Sequence, residues 1–240
     1  MRFAAVIAGL LLAGCAVAQP AAVPAGDSGA DWHAAIMHVE NRHANVVCTG
    51  VLVQVNLVAT AGHCLQGAGA RELLFIPAGT NHAWRGMEIL AAGGITEGAE
   101  VNAVEVARDW ALIRTAPMPI APIAILPMTK IEIQKAIAQG ARLASFGFAH
   151  PDALVEHTGC ALLDVWGEAF FTTRCPVRAG DSGGPVLLID AEGARLIGLN
   201  SAIRNGETLV VNAGRFAPWA SADDPFNTRA LAQADNQTSD

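Results

Sequence analysis

Residues 180–185 read GDSGGP and run directly into VLLID, residues 186–190. The string sets Ser182 between an acid and two glycines, at the start of an apolar, strand-like run, with Cys175 a little upstream. A serine in such a place can be held rigidly, as a nucleophile must be. GDSG also occurs at Gly26–Gly29, inside QPAAVPAGDSGA, residues 19–30. That stretch is rich in Pro, Ala and Gly, with little to bury. It reads as a flexible linker that could not fix Ser28 in any geometry.

A serine becomes nucleophilic at neutral pH only beside a base, and the base needs a group that orients it. Of seven histidines, His63 stands out. It ends the run LVATAGHC, residues 57–64, next to Cys64. Among the carboxylates Asp109 stands out, in VARDWALIRT, residues 106–115, just ahead of an apolar strand. A carboxylate there is buried and needs a donor, and an imidazole N–H is a suitable one. Glu105 is a nearby competitor. His33, His38, His43, His82, His150 and His157 have no supporting context and read as surface or structural. GDSGG also satisfies G-x-S-x-G, the nucleophile elbow of α/β-hydrolases. That fold needs its histidine after the serine, and no histidine follows Ser182.

Working outward, the chain from Asp31 is a series of short β-branched and apolar runs broken by Gly, Pro or Asn. VVCTGVLVQV, ELLFIPAG, ARLASFGF, AFFTTRC, ARLIGLN and TLVVNAG are examples. Many short strands at fairly even spacing predict an all-β sandwich or barrel. IEIQKAIAQ, residues 131–139, has a helical character or is a crossover strand. The Pro-rich APMPIAPIAILP, residues 116–127, marks a subdomain boundary. The polar stretch 221–240 reads as a frayed tail.

The 240 residues suffice for one large domain or two small ones. The net charge is −7, with no basic run to neutralise phosphates, so nucleic acid is not an expected partner. MRFAAVIAGLLLAGCAVAQP has one Arg, an apolar run and then small residues, and reads as a secretory signal peptide. Cleavage after Ala18 removes residues 1–18. A lipobox reading ending at Cys15 removes residues 1–14 and anchors the chain by lipid. The folded part then works outside the cytoplasm, periplasmic or secreted. Setting Cys15 aside leaves Cys48, Cys64, Cys160 and Cys175, an even number suited to an oxidising compartment. Four cysteines allow three pairings. Pairing neighbours would close two short loops, each adding roughly 3 kcal/mol. Their spacing lacks C-x-x-C, so no metal site is expected.

TAGHC, DWALI and GDSGGP, in the order His, Asp, Ser, resemble the chymotrypsin/trypsin family of serine proteases across residues 31–219. The resemblance implies two six-stranded Greek-key β-barrels with the active site in the cleft between them. The N-barrel would fall at about residues 31–120 and the C-barrel at about 128–220. Cys48 and Cys64 match the spacing of the family's histidine-loop bridge. Ser182 would be the nucleophile, His63 the base and Asp109 its orienting acid. The N–H groups of Gly180 and Ser182 would form the oxyanion hole. No metal or organic cofactor is implied.

The chain departs from that pattern in two places. Animal members pair the acid beside the nucleophile with an N-terminus freed by cleavage. No such segment precedes DWHAAIMHV, residues 31–39. Either no zymogen cleavage is needed or an internal donor serves Asp181, and the first is the expectation. Trypsins also carry an acid six residues before the nucleophile, where this chain has Pro176. Pro176, Val177, Ser201, Ala202 and Ile203 are the expected pocket residues, with Ile203 narrowing the space. Cleavage after small or medium apolar residues is expected. Arg178 and Arg204 offer a lesser alternative, acidic P1 residues. The chain is thus read as an exported, monomeric serine endopeptidase acting on peptides or proteins. The other readings are a silent trypsin-fold module that binds a peptide or envelope protein, and an esterase using the same triad.

Overall fold

β-Branched and aromatic residues favour extended backbone, and the apolar runs become strands. The computed structural model describes residues 32–94, 102–150 and 153–220. The signal-peptide reading, the linker, Cys15 and the tail from residue 221 lie outside the described residues. The first half contains β1 (Ile36–Asn41), β2 (Val46–Gln54), β3 (Leu57–Thr60), β4 (Leu73–Pro77), β5 (Trp84–Ala92), α1 (Ala103–Arg108) and β6 (Ala111–Thr115). Its six strands close an antiparallel barrel in the order β1-β2-β3-β6-β5-β4. Closure leaves no unpaired edge.

The second half contains β7 (Ala124–Ile125), α2 (Lys130–Ala138), β8 (Arg142–His150), β9 (Ala153–His157), β10 (Leu162–Trp166) and β11 (Phe170–Thr173). It continues with β12 (Pro185–Asp190), β13 (Gly193–Arg204), β14 (Glu207–Asn212) and α3 (Ala217–Ala220). These strands form one sheet, ordered β10-β11-β14-β13-β12-β8-β9, with β7 added parallel to β13. The end strands β9 and β10 are consecutive in the chain, joined only by residues 158–161. That short link curls the sheet back on itself. The fold is therefore nearly all-β, a closed six-stranded barrel beside a second curled sheet.

Local signals explain several details. Asn205-Gly206 takes φ of 52° and 79°, the left-handed pair that closes a tight hairpin between β13 and β14. Residues 130–138 are a helix rather than a crossover strand. Thr129 caps it, accepting the Glu132 N–H, while the Glu132 carboxylate accepts the Thr129 N–H. The Thr129 N–H and the Thr129 hydroxyl both donate to the Glu132 carboxylate and hold it below its ordinary range, the backbone donor most. β7 lies inside the Pro-rich boundary stretch.

β2 positions the site. Cys48–Val53 are buried on both faces, because one face fills the barrel and the other packs on β8 and β12. The main apolar core runs through this contact, joining Val51, Leu52 and Leu112 to Phe146, Leu187 and Leu199. A second cluster, around Ile133, Leu143, Phe171, Leu188 and Val210, fills the second half.

Candidate active site

β3 ends at Thr60, and a tight turn at Gly62–Cys64 presents His63. Cys64 is bridged to Cys48, which ties this turn to β2, and Cys160 is bridged to Cys175. Asp109 caps the C-terminus of α1 directly before β6 and is 5% exposed. Its Oδ1 accepts the His63 backbone N–H at 2.8 Å. Its Oδ2 lies 2.8 Å from His63 Nδ1 and accepts the Ser201 hydroxyl at 2.6 Å. The carboxylate thus receives three donors. The Nδ1 proton faces Asp109, which leaves Nε2 of the half-buried ring as the basic nitrogen.

Ser182 stands in the loop that enters β12. The Ser182 carbonyl accepts the Thr49 N–H at 2.8 Å and lies 3.8 Å from Cys64 Sγ, beside the His63 turn. The glycines of GDSGGP leave room for this approach. A Cβ on Gly183, whose φ is +76°, would lie 2.2 Å from Thr60 Oγ1 and 2.5 Å from Ala61 N. A Cβ on Gly184 would lie 2.2 Å from the Phe146 carbonyl oxygen. Among the described residues, the Ser182 hydroxyl and the N–H groups of Gly180 and Ser182 have no hydrogen-bond partner. Two amides and a hydroxyl are therefore free for an incoming carbonyl.

Thr49, fully buried in β2, holds the loop from the other half. Its hydroxyl donates to the Gly180 carbonyl and accepts the Phe148 N–H, both at 2.8 Å. Nothing in the Thr49 sequence context announced this role. Ser201 was placed by sequence in the pocket, and its contact with Asp109 is an addition to that reading.

Asp181 has the internal donor that the sequence reading left open as an alternative. It is fully buried, and its partner is internal. Oδ2 lies 2.7 Å from His157 Nε2 and accepts the Arg178 N–H at 2.7 Å, while Oδ1 accepts the Ala149 N–H at 3.0 Å. His157, 1% exposed at the end of β9, has a specific polar partner beside Ser182. The sequence signal was weak, a lone histidine in ALVEHTG. The partner lies 24 residues away.

A recess of about 230 Å³ beside Ser182 is walled by Val177, Arg178, Ala179, Ser201, Ala202 and Ile203, with Asp181 and Asn200 behind. Four of the five expected pocket residues line it. Pro176 does not; it follows the bridged Cys175 and faces solvent. A larger recess, about 920 Å³, lies elsewhere, between Val53, Met128 and Ala217. Its lining has no histidine, serine or cysteine, whereas the smaller recess is lined by Ser182. Cys48, His63 and Cys64 also approach one another closely, but both sulfurs are spent on the bridge and offer no thiolate to a metal.

A barrel and a curled sheet, meeting at a His–Asp pair and a glycine-bound serine, define a two-part β-fold peptidase. Residues 48–199 match the model of the trypsin-like peptidase domain, and the chain belongs to that family. Two solved structures of the Rv3671c protease share its fold, both in an inactive form. The first has a TM-score of 0.52 at 18% identity, covering 78% of this chain and 87% of the other. The second, a serine-to-alanine variant of the M. tuberculosis H37Rv protein, has a TM-score of 0.53 at 16% identity, covering 80% and 90%. No curated protein sequence matches the chain.

Proposed function

We propose that the chain is an exported serine endopeptidase working through His63, Asp109 and Ser182. The carrying observation is the 2.8 Å contact of His63 Nδ1 with a buried Asp109 that receives three donors, beside a Ser182 flanked by open amides. Ser182 Oγ bonds to the scissile carbonyl carbon as its proton passes to His63 Nε2. The carbonyl oxygen, now an oxyanion, takes hydrogen bonds from the Gly180 and Ser182 N–H groups. Each such donor is typically worth about 10²–10³ in rate. Collapse breaks the C–N bond, and His63 protonates the departing amine. Water then repeats the sequence on the acyl-enzyme. Asp109 holds the tautomer and stabilises the imidazolium.

The substrate class follows from the recess beside Ser182. Its one carboxylate, Asp181, is engaged by His157 and two backbone amides, so a basic P1 side chain finds no free acid there. Small and medium apolar P1 residues fit a space narrowed by Ile203. Arg178 among the walls is the one observation favouring acidic P1 residues instead. Two disulfides support an oxidising, extracytoplasmic setting.

Labelling with a fluorophosphonate tests the nucleophile. Folded, oxidised protein should label at Ser182, keep its label as Ser28→Ala and lose it as Ser182→Ala. Absence of label on folded protein would overturn the reading in favour of a silent binding module. A peptide library then reads P1, and dominant cleavage after Lys or Arg would refute the pocket assignment.

A further inference from the structure

Asp181 is an acid buried completely beside the residue read as the nucleophile, and its carboxylate shapes the loop around it. The Arg178 N–H donates to Oδ2 at 2.7 Å, and the Asp181 N–H returns to the Arg178 carbonyl at 3.0 Å. These two bonds close the turn Arg178–Asp181 and fix the Ala179–Gly180 peptide, whose N–H is one of the two open amides. Gly180 sits at φ +98°, where a Cβ would come within 2.6 Å of the Phe148 carbonyl oxygen. Only glycine fits this point of the turn. Space for the carboxylate is built in as well, since a Cβ on Gly147 would lie 2.2 Å from Asp181 Oδ1.

Two backbone amides alone leave a buried carboxylate short of compensation. The remaining donor is His157 Nε2, at 2.7 Å. His157 comes from β9, which is hydrogen-bonded to β8 at Ser145, so the ring is anchored outside the loop it serves. Its Nδ1 has no partner among the described residues. The ring's polar chemistry is directed at Asp181 alone, with the proton of that contact on Nε2.

We propose that His157 is a positioning residue for the nucleophile loop: its Nε2–H holds Asp181 inward and thereby sets the Gly180 and Ser182 amides for catalysis, without a newly cut N-terminus. Without this donor the carboxylate turns toward water, the Arg178 amide is released and the Gly180 peptide rotates away. The inference rests on the reading of Ser182 as the nucleophile.

The test compares wild type, His157→Ala and His157→Gln, the last of which places an amide N–H near the Nε2 position. Fluorophosphonate reaction at Ser182 forms the O–P bond and expels fluoride, the hydroxyl proton passing to His63. The maximal labelling rate should fall about 10²-fold in the Ala variant, the value of one oxyanion donor, with half-saturating probe concentration unchanged. The Gln variant should recover most of that rate. Hydrogen exchange in a Ser182→Ala background should show the Arg178 and Asp181 amides losing protection with His157→Ala and keeping it with His157→Gln. A folded Ala variant labelling at the wild-type rate would overturn the proposal. If the Ala variant does not fold, a folded Gln variant with slow labelling and an unprotected turn would do the same. Wild type that never labels would defeat the nucleophile reading instead. The exchange experiment would still decide whether His157 holds the loop.

Discussion

Asp109 concentrates the residue-scale argument, because one carboxylate serves three donors of two kinds. The His63 amide and ring fix the position and tautomer of the base, and the Ser201 hydroxyl gives Oδ2 a second donor. Asp109→Asn keeps the volume but presents an NH₂ group to hydrogens that need an acceptor. The ring is then driven to the wrong tautomer, with Nε2 protonated and unable to act as a base. The expected outcome is a fall in kcat of about 10⁴-fold with folding intact. Steady-state kinetics on the best library peptide measures it, and a loss under tenfold would remove Asp109 from the triad. Asp109, His63 and Ser182, the residues proposed for the triad, could be singled out in sequence because each sits in a compact string. Ser201, Thr49 and His157 were not legible as partners. Their contacts span 92, 131 and 24 residues, and no local pattern encodes a hydrogen bond to a distant atom.

Among the elements, β2 does more than complete the first barrel. Thr49 lies where β2 faces the second half, and its hydroxyl links the Phe148 N–H of β8 to the Gly180 carbonyl. Thr49→Val preserves shape and removes both bonds, leaving a donor and an acceptor unpaired in a buried place. It should destabilise the protein by about 1–3 kcal/mol. Labelling should fall beyond what the loss of folded protein explains. Denaturant unfolding together with the labelling rate of the folded fraction separates the two effects. Normal labelling would show that the Thr49 hydroxyl supports the fold alone. Strand reading from sequence succeeded where runs are buried, as in β2, β3, β8, β12 and β14. It passed over β1, a mostly buried IMHVEN with polar residues between its apolar ones, β5, whose WRGMEILAA is largely exposed and shows no clean alternation, and β9, a short end strand in ALVEH. Residues 130–138 stayed ambiguous between helix and strand because the decisive signal is the cap formed by Thr129 and Glu132, just outside the apolar run.

At the scale of the molecule, the two halves share one core, and the groups proposed for catalysis come from both. His63 and Asp109 belong to the barrel, Ser182 and Ser201 to the sheet, and Val51, Leu52, Phe146 and Leu187 pack in one continuous cluster between them. Neither half can expose its side of that contact without uncovering apolar surface, so the halves should unfold together. The Cys48–Cys64 bridge lies on this seam, with Cys64 Sγ 3.8 Å from the Ser182 carbonyl. Replacing both cysteines by alanine reopens a loop of sequence separation 16. For a loop of this size the loss is roughly 3 kcal/mol. In a domain of this length that lowers Tm by about 6–12 °C. Because the core is shared, the shift should appear equally in both halves, although the bridge lies wholly in the first. Hydrogen exchange followed through the thermal transition resolves this, by comparing β3 and β6 with β12 and β13. Protection lost from all four strands at one temperature is the expected result. Survival of β12 and β13 after β3 and β6 have opened would show two independent halves, with the active site assembled by their docking rather than by a common core.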